Sequence, residues 1–183
     1  MPTVLSCGVV LLDSSRRLFA CHATGTARWD LPKGLSDPAE PPRAAAIREA
    51  WEEAGLRIDP DLLADLGEFA YLPGKRLHLF AARVASDAFD LADCRCRSFF
   101  AHHRTGRATP EADAYAWKPL ADAPGWAGKG LVKVLGRIDW ARLDALPEVG
   151  RVEVDTSASS AAATIAAAGI DATAPAATRG DRR

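Results

Sequence analysis

No stretch of this 183-residue chain stays apolar for the ~20 residues that a bilayer-spanning helix needs; the run from Val4 to Leu12 is less than half as long. The start, Met1-Pro2-Thr3-Val4-Leu5-Ser6, lacks the Lys/Arg-rich opening of a secretory signal, so the cytoplasm is the expected compartment. Charge of one sign is also missing. Lys and Arg number 23 against 24 Asp and Glu, a net charge of -1, so no global field draws the chain to nucleic acid or to an anionic membrane. Cysteine is scarce, at four residues. Cys7 and Cys21 stand singly in apolar segments, and Cys94-Arg95-Cys96 has no second pair at zinc-finger spacing. Reduced thiols are expected, with Cys94 and Cys96 at the surface. His102-His103 likewise has no partner at metal-ligand spacing. There is no internal repeat.

What is present suits a soluble globular domain: 48 % of residues are hydrophobic and 26 % charged. That length can bury a core without disulfides. Bulky apolar residues thin out from about Pro147, where Ala, Ser and Thr take over. One domain over residues 1–146 is therefore expected, followed by a low-complexity tail, 147–183, too poor in apolar area to offset its ordering entropy.

Within the domain, Ser6 to Leu12 reads as a buried strand, and Asp13-Ser14-Ser15-Arg16 turns it into a return strand from Arg17 to Ala23. Gly25 to Asp37 reads as a loop. Glu68 to Leu72 and Leu77 to Val84 form a second hairpin around Pro73-Gly74. A strand is expected near Arg97 to His102, and Tyr115-Ala116-Trp117 should be the last one. One helix is expected from Gly130 to Leu146.

The chemistry lies on an earlier helix, which starts near Pro41-Pro42 and stops at Gly55, a residue suited to a left-handed cap. At ~100° per residue, Glu53 falls about 40° and Glu52 about 300° from Glu49, so the three share one face. Ile47, Ala50, Trp51, Ala54 and Ala44 fall on the opposite face, between about 100° and 220°. The apolar half should pack on a sheet, with the acidic half presented to whatever lies above it. Geometry alone leaves two readings open: a solvated acidic surface, or a platform for a cation.

The wider spacing distinguishes them. Gly34, Glu40, Arg48, Glu49, Glu52, Glu53, Gly55 and Leu56 stand in the register of the Nudix hydrolase signature. Ala50 departs from it, taking a position where a bulkier aliphatic is usual. The resemblance spans the motif from Gly34 to Leu56 and, through the flanking strands, about residues 4–145. It implies an α/β (α+β) architecture, the Nudix fold, in which a mixed β-sheet is sandwiched between helices. It also implies Mg²⁺-dependent cleavage of a diphosphate, with Mn²⁺ as the substitute ion. Glu49, Glu52 and Glu53 would be metal ligands, joined by a backbone carbonyl near Lys33-Gly34. Arg48 would orient the glutamates, Glu40 would pair with Arg48, and Gly55 would close the helix. The general base would be Glu52 or, from a later loop, Glu111. Hard Mg²⁺ with carboxylate oxygens is the fitting choice for a polyanionic substrate.

Residues outside the motif bear on the substrate. Trp29-Asp30-Leu31-Pro32-Lys33-Gly34 is similar to the entry sequence of dinucleoside polyphosphate hydrolases. Lys33 would meet a phosphate, and Trp29 and Tyr71 would stack on a base. The partner so implied is a small nucleotide or diphosphate, not a nucleic acid or a membrane. A nucleotide-sensing module that does not cut is the alternative, but such modules usually lose motif glutamates and none is lost here.

Overall fold

The structure is a computed structural model and describes residues 3–102 and 104–157. His103 and residues 158–183, most of the expected tail, lie outside it. Among the described residues no helix is long and apolar enough to cross a membrane.

The central strand, β1 (Val4–Asp13), shows why its apolar run is continuous. Cys7, Val9 and Leu11 enter one core layer, while Val10 and Leu12 enter another on the opposite side. A strand alternates its side chains, so one buried on both faces has no polar side. The Asp13 carboxylate builds the turn that follows, accepting from the Ser15 and Arg17 amides at 3.0 and 2.8 Å. β2 (Arg17–Ala23) then returns antiparallel, with Leu18 opposite Leu12.

The next segment, expected as loop, holds two short strands: β3 (Trp29–Asp30) on β2, and β4 (Lys33–Leu35) on β1. Strands of two and three residues have no periodicity to read; only pairing with a neighbour creates them. Helix α1 (Pro42–Ala54) begins with proline in its first turn and ends at Gly55, at φ 75°. β5 (Leu56–Arg57) leads to the hairpin of β6 (Ala64–Leu72) and β7 (Lys75–Val84). β7 runs parallel to β1 from Val4↔Lys75 to Asp13↔Val84.

β8 (Phe99–Ala101) and β9 (Ala108–Pro110) form a small separate hairpin, and β10 (Ala112–Pro119) joins β2 at the edge of the main sheet. The sheet order is β10-β2-β1-β7, with parallel and antiparallel pairs mixed. α1 covers one side. α2 (Ala123–Trp126), α3 (Lys129–Leu135) and α4 (Trp140–Asp144) lie on the other, where Trp126, Leu131, Val134 and Leu143 pack on Val10, Leu12, Leu77 and Leu79. The mixed sheet between helices is as expected. Each fully buried leucine contributes roughly 2 kcal/mol by leaving water.

Five further expectations need correction. The helix foreseen over Gly130 to Leu146 is two helices, α3 and α4: it breaks after Leu135, and Asp139 caps the second piece by accepting from the Arg142 amide at 3.3 Å. Tyr115 to Trp117 is not in the last strand, because β11 (Glu148–Val149) joins β7 and β12 (Glu153–Val154) joins β5. The tail therefore does not begin at 147. Val152 is buried, and Asp155 accepts from Trp51 Nε1 at 3.1 Å and pairs with Arg57 and Arg97 at 2.6 and 2.9 Å. Cys94 is buried rather than at the surface, and Cys96 is half-buried; all four cysteines are free. Finally, the helix face packed inward holds Ala45, Ala46, Ala50 and Ala54 with Glu49 among them, whereas Ala44 is exposed and Ile47 and Trp51 are half-buried. Alanines let the helix axis approach the sheet closely, with Ile47 at the border of the core and Trp51 on the flank against Asp155.

Candidate active site

Three backbone features bring the site together. α1 carries Arg48, Glu49, Glu52 and Glu53; β4 carries Lys33 and Gly34; and the loop between them carries Glu40. Because β4 is pinned to β1 through Cys7↔Gly34 and Gly8↔Lys33, the strand lies directly against the helix.

Gly34 makes that approach possible. A Cβ at this position would sit 2.2–2.4 Å from the Glu49 carboxylate, so the missing side chain is the space Glu49 occupies. Glu49 is only 7 % exposed. Burial pushes its carboxyl up, and the charges of Glu52 and Glu111 add to this against the opposing pull of Arg48.

Arg48 is the hub on the outer side. Its Nε and Nη2 reach both Glu40 oxygens at 2.9 Å, a two-pronged contact matched to the planar guanidinium. Nη1 reaches Glu49 at 2.8 Å and Glu52 at 2.9 Å, and Nη2 also donates to the Leu35 carbonyl at 2.8 Å. The hydrogen bond to Glu40 is the main influence holding Arg48 firmly protonated, and Arg48 in turn holds Glu40 below the ordinary carboxylate range.

Glu53 lies deeper. Its Oε2 accepts from the Lys33 amide at 3.3 Å. Burial pushes its carboxyl to about 8, with Glu49 and Asp30 adding and Lys33 opposing. The Lys33 ammonium pairs with Asp30 at 2.9 Å and lies 5.7 Å from the centre of the Tyr71 ring. Burial alone would lower the Lys33 pKa, but Asp30, Tyr71 and Glu53 together raise it, so it stays charged.

The structure therefore gathers Glu40, Arg48, Glu49, Glu52, Glu53, Lys33, Gly34 and Tyr71, and brings exposed Glu111 within electrostatic reach of Glu49. Trp29 has other neighbours: Lys118 lies 4.8 Å from its ring and the His22 ring 5.0 Å. Two groups escaped the reading of the sequence. Asp30, the partner of Lys33, could have been suspected from its spacing of three. Tyr115, whose hydroxyl donates to the Glu53 carbonyl at 2.9 Å, left no signal, since 62 residues separate them.

Among the described residues, no three carboxylate, imidazole or thiol groups already converge as a cation cage. The donor set nonetheless fits a hard divalent cation. Glu49 is a buried carboxylate that fills the cradle left by Gly34, Glu53 is half-buried nearby, and desolvation pushes both carboxyls up. Mg²⁺ needs only one or two such carboxylates and keeps several waters, so a closed cage is not required.

Comparison with known proteins agrees with this geometry. The NUDIX domain profile matches residues 2–135. A phage T4 protein named as the uncharacterized 17.7 kDa protein of the e-segB intergenic region is 33 % identical over 143 residues, covering 73 % of this chain and 94 % of its own. An RNA pyrophosphohydrolase of Rhizobium meliloti is 30 % identical over 142 residues, covering 64 % and 80 %. Among solved structures, a C. elegans Ap4A hydrolase complex shares the fold with a TM-score of 0.55 at 23 % identity, over 77 % of this chain and 99 % of that one. A MutT protein from Methanosarcina mazei shares it with a TM-score of 0.53 at 18 % identity, over 77 % and 96 %.

Proposed function

The chain belongs to the NUDIX family, and from that premise we propose that it hydrolyses a phosphoanhydride bond in a nucleoside diphosphate linked to a further group, using Mg²⁺, with Mn²⁺ as the substitute. One observation carries this reading: Glu49 and Glu53 are held in a recess beside Gly34 and Lys33, where burial disfavours their negative charge. Buried carboxylates are costly without a cation, and a diphosphate cleaved by water needs one.

Glu49, Glu52 and Glu53 would hold the ion, which when bound neutralises phosphate oxygens and makes a water more acidic. The chain's own groups do the rest. Arg48, fixed by Glu40, sets the directions of Glu49 and Glu52. Lys33 presents a fixed positive charge to a substrate phosphate, and Tyr71 flanks it. A water oxygen forms a bond to one phosphorus while the bridging P–O bond breaks, and the second phosphate departs with the bridging electron pair. The water's proton goes to Glu52, with Glu111 as the other candidate base.

The names of two relatives, an RNA pyrophosphohydrolase and an Ap4A hydrolase, support a nucleotide anhydride as the substrate. With a net charge of -1 the chain has no excess of cations for a long polyanion, which favours a small nucleotide such as a dinucleoside polyphosphate over RNA. The test is Mg²⁺-dependent product release from a dinucleoside tetraphosphate, a nucleoside diphosphate sugar, a nucleoside triphosphate and a 5′-triphosphorylated oligonucleotide. Wild type should turn over the first, and Glu53→Gln should lose about 100-fold or more. Equal activity in the two proteins would remove the metal-site assignment. Nucleotide binding without turnover and without Mg²⁺ would make the chain a sensor instead. Glu52→Gln should lose about 100-fold and Glu111→Gln less than tenfold; the reverse order would make Glu111 the base.

A further inference from the structure

Glu52 and Glu53 sit in the last turn of α1, where a helix leaves its final carbonyls without internal partners. Here those carbonyls are taken by donors from several elements. The Gly55 N–H serves the Ala50 and Trp51 carbonyls. The Arg97 and Ser98 amides donate to the Glu52 carbonyl at 2.6 and 3.1 Å, and the Arg95 amide donates to the Ala54 carbonyl at 3.2 Å. The Asp155 amide donates to Gly55 at 2.8 Å. For Glu53 the donor is a side chain, the Tyr115 hydroxyl at 2.9 Å.

Tyr115 does not belong to the helix or to its neighbouring loop. It stands on β10 opposite Cys21 of β2, and its ring lies nearly parallel to Phe19, 6.0 Å away. Its hydroxyl is therefore fixed by the main sheet. The same sheet carries β4, whose Lys33 amide holds the Glu53 carboxylate at 3.3 Å. Glu53 is thus held at both ends by strands of one sheet, its carbonyl by β10 and its carboxylate by β4.

We propose that Tyr115 is a positioning residue that sets Glu53 for cation binding; this rests on the reading of Glu53 as a metal ligand. Without the hydroxyl, the Glu53 carbonyl has to turn toward water, and the carboxylate at the end of the same residue turns with it. A displacement of about 0.5 Å is enough to degrade a metal or catalytic constellation. Partners one step removed from a metal typically change its affinity by 10–100-fold when mutated.

The test is Mn²⁺ binding to the full-length protein by titration calorimetry, with thermal melting alongside. Tyr115→Phe keeps the ring on Phe19 and removes one oxygen. Mn²⁺ affinity should fall about tenfold or more. Trp117→Phe is the control, since Trp117 also packs on Phe19, at 5.9 Å, from the same strand. It should melt lower than wild type while binding Mn²⁺ as tightly. Unchanged Mn²⁺ affinity in Tyr115→Phe would overturn the proposal, as would an equal loss in both variants, which would report general loosening of the core. Mn²⁺ binding insensitive to Glu53→Gln would overturn it together with the metal site. A tenfold loss in Tyr115→Phe, in a protein whose wild type cleaves none of the four substrates, would uphold the role of Tyr115 and reject the proposed reaction alone.

Discussion

The Glu49 carboxylate lies against the bare Cα of Gly34, in the volume that a side chain at residue 34 would fill. Strand β4 and helix α1 can approach this closely only because one residue has no Cβ and the other has a carboxylate to bury.

Gly34→Ala forces these groups apart, since the added methyl would start 2.2–2.4 Å from the carboxylate atoms. A misplacement of about 1 Å at a reacting centre costs on the order of 100-fold. The variant should keep its circular dichroism spectrum and lose about that factor in kcat/KM. An unchanged kcat/KM would show that Glu49 can leave its recess without cost.

Glu53 makes stability depend on pH in the metal-free protein. Its carboxyl titrates near 8 when folded and in the ordinary range, near 4.5, when unfolded. Between those values the folded state holds the extra proton, so stability falls as pH rises. Metal-free Glu53→Gln should therefore melt higher than wild type at pH 8–9, and the gap should narrow as pH drops toward 4.5. Saturating Mg²⁺ should reverse the order by stabilising wild type more. Parallel melting curves across this range would contradict the raised Glu53 carboxyl.

Glu40→Ala removes the two-pronged contact on Arg48. Arg48 is then free to pull Glu49 and Glu52 out of line, so activity should fall about tenfold. The loss of two charge-assisted hydrogen bonds at a half-exposed site should lower stability by about 1 kcal/mol. Urea denaturation and steady-state kinetics would measure both.

Asp155 ties the last described segment to the flank of α1. Hydrogen bonds from Ser157, Trp51 and Arg57 hold its carboxyl below the ordinary carboxylate range. Its contribution is thus present above about pH 4 and is lost as pH falls further. A chain ending at Leu146 lacks this tie as well as β11 and β12, and should melt about 5 °C or more below one ending at Ser157. Equal melting temperatures would return residues 147–157 to the status of a dispensable tail.

The acidic face of α1, its stop at Gly55 and the two-sided burial of β1 were all determined by the sequence itself. They arise from short-range regularities: a helical angle, the left-handed freedom of glycine, and a strand with no polar alternation. The register of Gly34, Glu40 and Arg48 with that face was legible only as a resemblance to the Nudix signature, since Gly34 and Glu40 lie outside the helix. What the sequence left undecided depends on contacts between distant segments. Which flank of α1 packs inward was decided by how closely alanines let it approach the sheet, so Ile47 only borders the core and Trp51 bonds to Asp155 at the flank despite their size. Residues 147–157 look polar by composition, yet β7 and β5 offer unpaired edges that capture them. The hydroxyl of Tyr115 meets Glu53 only because β10 folds back onto β2. A one-dimensional pattern carries periodicity and spacing, whereas backbone pairing and close packing exist only once the sheet has formed.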